Sequence, residues 1–255
     1  MLTPHVIILI FAVILGLCVG SFLNVVIARV PKGRSIVSPG SACPRCNTPI
    51  AWYDNIPLLS FALLRARCRK CGEPISWRYP AIELVTGVLF VWTLAVRGLT
   101  IDLIPALLLV TGLVAITGID LDHQLIPDAI SIPGIVVGLV ASTLTGRPGW
   151  LDSLVGVLLG GGIFLLIIVA SRGGMGGGDM KLGAMLGAFL GWKLVLVAVL
   201  VAILAGGAFA IVVLLLRRKG RKDAVPFGPF LALGGVVSLF WGKALLSWYL
   251  GTFAG

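Results

Sequence analysis

Eight stretches nearly free of charged side chains dominate this chain, and they decide what it can fold into. They run from about Val6 to Ala28, Ala81 to Val96, Leu103 to Ile119, Ala129 to Thr145, Leu151 to Ala170, Met180 to Trp192, Leu194 to Leu216 and Gly228 to Leu250. A helix needs about 20 apolar residues to cross the hydrocarbon core of a bilayer, and most of these stretches are that long. Charged residues make up 12% of the 255 residues, against about 25% in soluble domains. This excludes a soluble globule, a disordered chain and a disulfide-rich secreted module. The chain also holds 34 glycines, the residue that lets helix backbones approach closely in lipid. The expected fold class is an all-α polytopic membrane protein of about eight transmembrane helices.

One polar region interrupts the pattern, from Arg29 to Pro80, giving a first helix over 1–28, a loop domain over 29–80 and a helical core over 81–255. Basic residues set the expected orientation, because loops rich in Lys and Arg stay in the cytoplasm. With 29–80 inside, 16 of the 20 basic residues fall on that face, including the Arg217 to Lys222 cluster; only Arg97, Arg147, Lys193 and Lys243 fall outside. The segment Met180 to Trp192 is short, reaching about 20 Å of a core roughly 30 Å thick. Deleting it would invert the Arg217 to Lys222 cluster, so it is kept as a span. No basic run precedes the first apolar stretch, which therefore reads as a retained span and not a signal peptide. The net charge of +10 fits this topology and contact with anionic membrane lipids, not nucleic-acid binding.

Four of the five cysteines sit in the polar loop as Cys43-Pro-Arg-Cys46 and Cys68-Arg-Lys-Cys71, with 21 residues between the knuckles. Two CxxC pairs at such spacing suit a tetrahedral four-thiolate zinc site. A loop of this size has little apolar surface for a core, so bound metal would supply folding energy. With every ligand a cysteine, no coordination position stays open, and the zinc is expected to be structural. A disulfide pair is disfavoured in a cytoplasmic loop. Cys18, alone in the first span, reads as a packing residue.

Only ten carboxylates occur in the chain, and acids at membrane depth are candidates for function. Asp120 and Asp122 close the third apolar stretch, and Asp179 opens the sixth after the glycine run Gly173 to Gly178. Both sets meet the same membrane face in this topology. Two carboxylates from different helices at one depth could hold a water and share a proton, as aspartic proteases do. Asp179, at a helix N-terminus where the dipole favours charge, is expected to be the base. Asp120, at a helix C-terminus, is expected to be the protonated partner. Asp122, Asp128 and His123 read as loop residues. Glu83 could pair with a basic neighbour or bind substrate. The glycines, Gly176, Gly177 and Gly178 among them, permit close approach of an extended peptide or form a flexible turn.

These motifs resemble the prepilin peptidase family of GxGD-type intramembrane aspartic proteases. Gly176-Gly-Gly-Asp179 followed by Met-Lys-Leu is similar to the signature of the group, and Asp120 in Asp-Leu-Asp-His-Gln-Leu-Ile-Pro-Asp128 to its first catalytic aspartate. Gly20 to Arg29, the two CxxC knuckles, Asp54 to Ser60, Pro74 to Glu83 and Pro226 to Leu233 are similar to family blocks in the same order. The resemblance implies that 81–255 is an aspartic protease core. It implies removal of the basic leader from type IV prepilins or type II secretion pseudopilins at the cytoplasmic face of the bacterial inner membrane. It further implies N-methylation of the new N-terminal residue with S-adenosylmethionine. No Rossmann or phosphate-cradling pattern locates that cofactor. The loop carries +7, so it would repel a basic leader. The competing classes are a transporter, whose acids should lie near the midplane of related halves, and a non-catalytic zinc-loop scaffold.

Overall fold

The computed structural model describes residues 3–172, 174–216 and 226–253. Gly173 and the Arg217 to Lys222 cluster, both used in the sequence reading, lie outside the described residues. The helices are α1 (Pro4–Arg29), α2 (Leu59–Leu63), α3 (Arg78–Arg97), α4 (Leu103–His123), α5 (Asp128–Thr145), α6 (Trp150–Ala170), α7 (Gly177–Leu215) and α8 (Gly228–Phe253). Seven of them are long and apolar enough to cross a membrane. Among the described residues, the only β pairing is two isolated bridges in the loop. The chain is therefore an all-α polytopic membrane protein with a cysteine-bearing loop, as expected.

Local sequence accounts for most helix ends. Pro4 opens α1 at a position where its missing N–H costs nothing. Pro127 precedes α5, whose first turn carries Asp128 and whose last turn closes on Gly146 at φ 68°. The 39 residues of α7 would make a straight rod of about 58 Å, twice the hydrocarbon thickness. Gly191 breaks it, with φ 76° and ψ 171°, a conformation open to glycine. Residues on either side of the break meet the same neighbours. Gly160 faces both Gly183 and Val195, and the adjacent Gly234 and Gly235 face Ala198 and Leu186 respectively. A straight helix would hold Leu186 and Ala198 about 18 Å apart, so the chain folds back at Gly191. The sixth and seventh expected stretches are the two arms of this fold, Gly177 to Leu190 and Trp192 to Leu215.

Two compact units emerge, Met1–Leu103 and Ile104–Gly255. In the first, α1 and α3 pack along a seam of small residues. A methyl group added at Gly16 would meet Gly87 Cα at 2.8 Å, and one added at Gly20 would meet Glu83 Cα at 2.7 Å. This small-xxx-small spacing lets two backbones touch where lipid offers no hydrophobic drive. The sequence reading groups α3 with the core; packing groups it with α1. In the second unit, Gly156 and Gly160 of α6 lie against Gly187 and Gly183 of α7, backbone on backbone. Serine hydroxyls add polar clasps, from Ser153 to the Ala188 carbonyl and from Ser238 to the Leu194 carbonyl at 2.6 Å. Val110, Ile116, Ile119, Phe164, Leu182 and Leu186 fill its centre.

Candidate functional site

The loop of the first unit is built on a duplication. The hydrogen bonds Cys43 N–H to Thr48 O, Asn47 N–H to Cys43 O and Ile50 N–H to Ser41 O have counterparts 25 residues later. These are Cys68 N–H to Glu73 O, Gly72 N–H to Cys68 O and Ile75 N–H to Ala66 O. The bridges Ala42 to Pro49 and Arg67 to Pro74 repeat at the same offset. Each knuckle turns through one left-handed residue, Asn47 at φ 52° and Gly72 at φ 72°, the residue types that adopt it most readily. The shared pattern Cys-x-x-Cys-[Asn/Gly]-x-Pro-Ile is present in the sequence, but the sequence reading did not use it.

This geometry brings the four expected ligands together. The sulfurs of Cys43, Cys46, Cys68 and Cys71 all lie within 4.8 Å of one another, and none forms a disulfide. The cluster could hold a metal ion. The Thr48 hydroxyl, 3.3 Å from Cys46 Sγ, and the Thr48 N–H draw the Cys46 thiol down to about 6. Backbone N–H groups of Cys71 and Lys70 likewise lower Cys68. At Cys71 the Glu73 N–H favours the thiolate, but burial and the neighbouring sulfurs outweigh it and leave the thiol at about 12. Held as thiolates, four sulfurs this close would need a cation between them, and an all-thiolate donor set fits a soft divalent ion. Arg45 bridges the knuckles to Glu73 at 2.6 Å, and Arg69 grips Asp54 with two bonds of 2.8 and 2.6 Å.

Glu83 is buried in α3. Its Oε2 accepts the Leu58 N–H at 2.9 Å, and the Ser21 side chain bonds to it as well. Nearby, Asn24 donates to the Tyr79 carbonyl at 3.2 Å. Glu83 thus fastens the loop to α3 through Leu58, which takes φ 58°, an outlier for a bulky residue.

In the second unit, the end of α4 and the start of α7 bring Asp120 and Asp179 close enough to act on one another electrostatically. Asp120 is 5% exposed, and its Oδ2 accepts the Gly228 N–H at 2.9 Å. A side chain at Gly228 would put its first carbon 2.7 Å from that oxygen, so any larger residue here would displace the Asp120 carboxyl or the start of α8. Within the block Pro226 to Leu233, nothing in the sequence singles out Gly228. Asp179 stands in the first turn of α7, half-buried. Two contacts hold that turn against the segment after Asp120. Lys181 pairs with Asp128 at 2.6 Å, and Gly178 lies so near Ile126 that an added methyl would meet Ile126 Cβ at 2.8 Å. Gly177 is different, since a methyl there would touch nothing within 4 Å. Gly177 and Gly178 are helical, not a loose turn. Asp122 and His123 are exposed at the end of α4, and Cys18 is exposed on α1.

Two family models match in order along the chain. Residues 14–96 match the Bacterial Peptidase A24 N-terminal domain, and residues 107–211 match the Type IV leader peptidase family. Three relatives carry the name prepilin leader peptidase/N-methyltransferase. The protein of Myxococcus xanthus is 48% identical over 81% of this chain and 63% of its own length. That of Aeromonas salmonicida is 37% identical over 93% of this chain and 92% of its own, and that of Bacillus subtilis 34% identical over 93% and 96%. No solved structure matches the chain. With both halves of the chain matched in order and relatives aligned along most of its length, it belongs to the type IV leader peptidase family.

Proposed function

We propose that Asp120 and Asp179 are the catalytic pair of a membrane-embedded aspartic endopeptidase. Its substrates are type IV prepilins or type II secretion pseudopilins, cleaved after their basic leader at the cytoplasmic face of the bacterial inner membrane. The observation that carries this reading is the meeting of two acids, from the end of α4 and the start of α7, in a predominantly apolar helical unit. An acid at such depth is costly unless it is used.

Asp179 takes a proton from a water held between the carboxyls, and the hydroxide attacks the scissile carbonyl. Asp120 meanwhile gives its proton to the carbonyl oxygen. When the tetrahedral intermediate collapses, the proton held by Asp179 passes to the departing amine, the C–N bond breaks, and Asp120 regains its proton. The Gly228 N–H fixes the orientation of the Asp120 carboxyl. It occupies Oδ2 of Asp120, which leaves Oδ1 to carry the proton. The open space over Gly177 beside Asp179 gives an extended peptide a strip, Gly176 to Gly178, to lie against.

Residues 29–80 act as a separate cytoplasmic loop domain, in which Cys43, Cys46, Cys68 and Cys71 hold one structural zinc ion. N-methylation of the freed N-terminus, as the relatives' name describes for them, would draw its methyl group from the sulfonium of S-adenosylmethionine. The basic residues of the loop favour anionic lipids as neighbours. The test is leader removal from a prepilin by purified Asp120→Asn and Asp179→Asn proteins. Each should lose cleavage while still inserting and folding, because Asn keeps the shape and cannot share the proton. Substantial cleavage by either variant would reject the pair.

A further inference from the structure

The cysteine loop carries a second surface that the peptidase chemistry does not use. Helix α2 exposes Leu59 and Leu63, four residues apart and hence on one face, with Ala62 beside them. Leu63 is 73% exposed. Two contacts fix α2 in place, the Ser60 hydroxyl bonding the Tyr53 carbonyl at 2.9 Å and Phe61 packing edge-on against Trp77 at 4.8 Å. Trp77 itself is 74% exposed. Arg65 and Arg67 follow directly, both exposed and neither paired with a carboxylate among the described residues.

The depth of this strip follows from one hydrogen bond. Glu83 lies five residues, about 7.5 Å, inside α3, and helical side chains lean toward the N-terminus. Its bond to the Leu58 N–H therefore sets the start of α2 level with the first turn of α3. The interfacial layer on one side of a bilayer is about 5–7 Å thick, and a spanning helix begins within it. Trp77, the residue before α3, sits where tryptophan concentrates in spanning helices. On α3 itself, Leu84, Val85 and Val88 are exposed.

We infer that α2 and Trp77 form an interfacial anchor that seats the cysteine loop in the membrane leaflet. Leu59, Leu63 and Trp77 enter the boundary between headgroups and acyl chains, and Arg65 and Arg67 meet anionic headgroups. The occupant is the lipid surface that α1 and α3 already cross. The argument rests on those two helices spanning a bilayer and not on the peptidase reading, so its test scores no cleavage.

The test uses full-length protein in nanodiscs containing phosphatidylglycerol, with acyl chains either plain or brominated at carbons 6 and 7. The Trp77 emission is the difference between wild type and Trp77→Phe, a change that keeps a ring against Phe61. Brominated chains should dim this difference at least twofold. In a Leu59→Glu/Leu63→Glu background the dimming should fall while the four cysteines still bind zinc. Equal Trp77 emission in both lipids would overturn the anchor. So would a strip that becomes protected only when a prepilin is added, since that outcome assigns it to a protein partner.

Discussion

Replacing Gly228 by alanine tests the site at its least obvious point. The new methyl would lie 2.7 Å from Asp120 Oδ2 and 3.1 Å from its Cγ. Ordinary contacts to carbon are about 3.5 Å, so Asp120 or the start of α8 must yield by roughly 0.8 Å. Asp120 is buried, and its Oδ2 loses the Gly228 N–H if either moves. A bond to a neutral carboxyl is worth about 0.5–1.5 kcal/mol, and misplacing a reacting group by about 1 Å costs on the order of 100-fold in rate. Gly228→Ala should therefore cut kcat/KM for leader removal by roughly 100-fold, with most of the loss in kcat because the leader itself is still bound. Purified protein, a prepilin substrate and a gel-shift time course measure it, with a thermal melt as a check on folding. A rate within threefold of wild type, with the fold intact, would refute the role given to the Gly228 N–H.

The glycines before Asp179 should behave unlike one another. Gly177→Ala should leave the melting temperature unchanged yet impair cleavage. Gly178→Ala meets Ile126 Cβ and should destabilise the protein by about 1–3 kcal/mol; equal behaviour in melts would contradict the packing. Elemental analysis should find one zinc per chain, and Cys68→Ser or Cys71→Ser should impair N-methylation more than cleavage. Mass spectrometry of the mature pilin reads both, and full methylation with miscut leaders would assign the loop to leader recognition. Arg69, doubly bonded to Asp54, holds that carboxyl below the usual carboxylate range. Its contribution is thus complete above the unfolded value of about 3.9 and fades as pH falls through the folded one. Asp54→Asn should speed amide exchange in residues 51–70 at pH 7, with the gap from wild type closing only below about pH 4.

The spans were legible because lipid imposes one rule on every residue that faces it, and the four thiols because their spacing alone fits an ion. Even the fold at Gly191 was foreshadowed by the boundary between the stretches ending at Trp192 and beginning at Leu194. Gly228 was hidden for a physical reason: nothing local announces that its N–H will face a carboxylate 108 positions earlier. Glu83 looked ready for a cation, yet it took the N–H of Leu58. No pattern announces that partner, since the left-handed turn there falls on a leucine. The duplicated knuckle is legible too, in the Asn or Gly, Pro and Ile that follow each cysteine pair.

A hydrolase working in lipid must bring water to the bond it cuts, and the fold at Gly191 offers a route. The arm from Gly177 to Leu190 is 14 residues long, about 21 Å of rise against roughly 30 Å of hydrocarbon. At the Gly191 end, Trp192 bonds Asp152 at 3.0 Å and Lys193 stacks on Trp192, a pairing suited to a headgroup layer. Measured from there, Asp179 lies about 12 Å short of the opposite hydrocarbon boundary. Headgroups and water dipping over that end would reach it, so the shortened arm leaves room for hydrolytic solvent that a full-length helix would shut out.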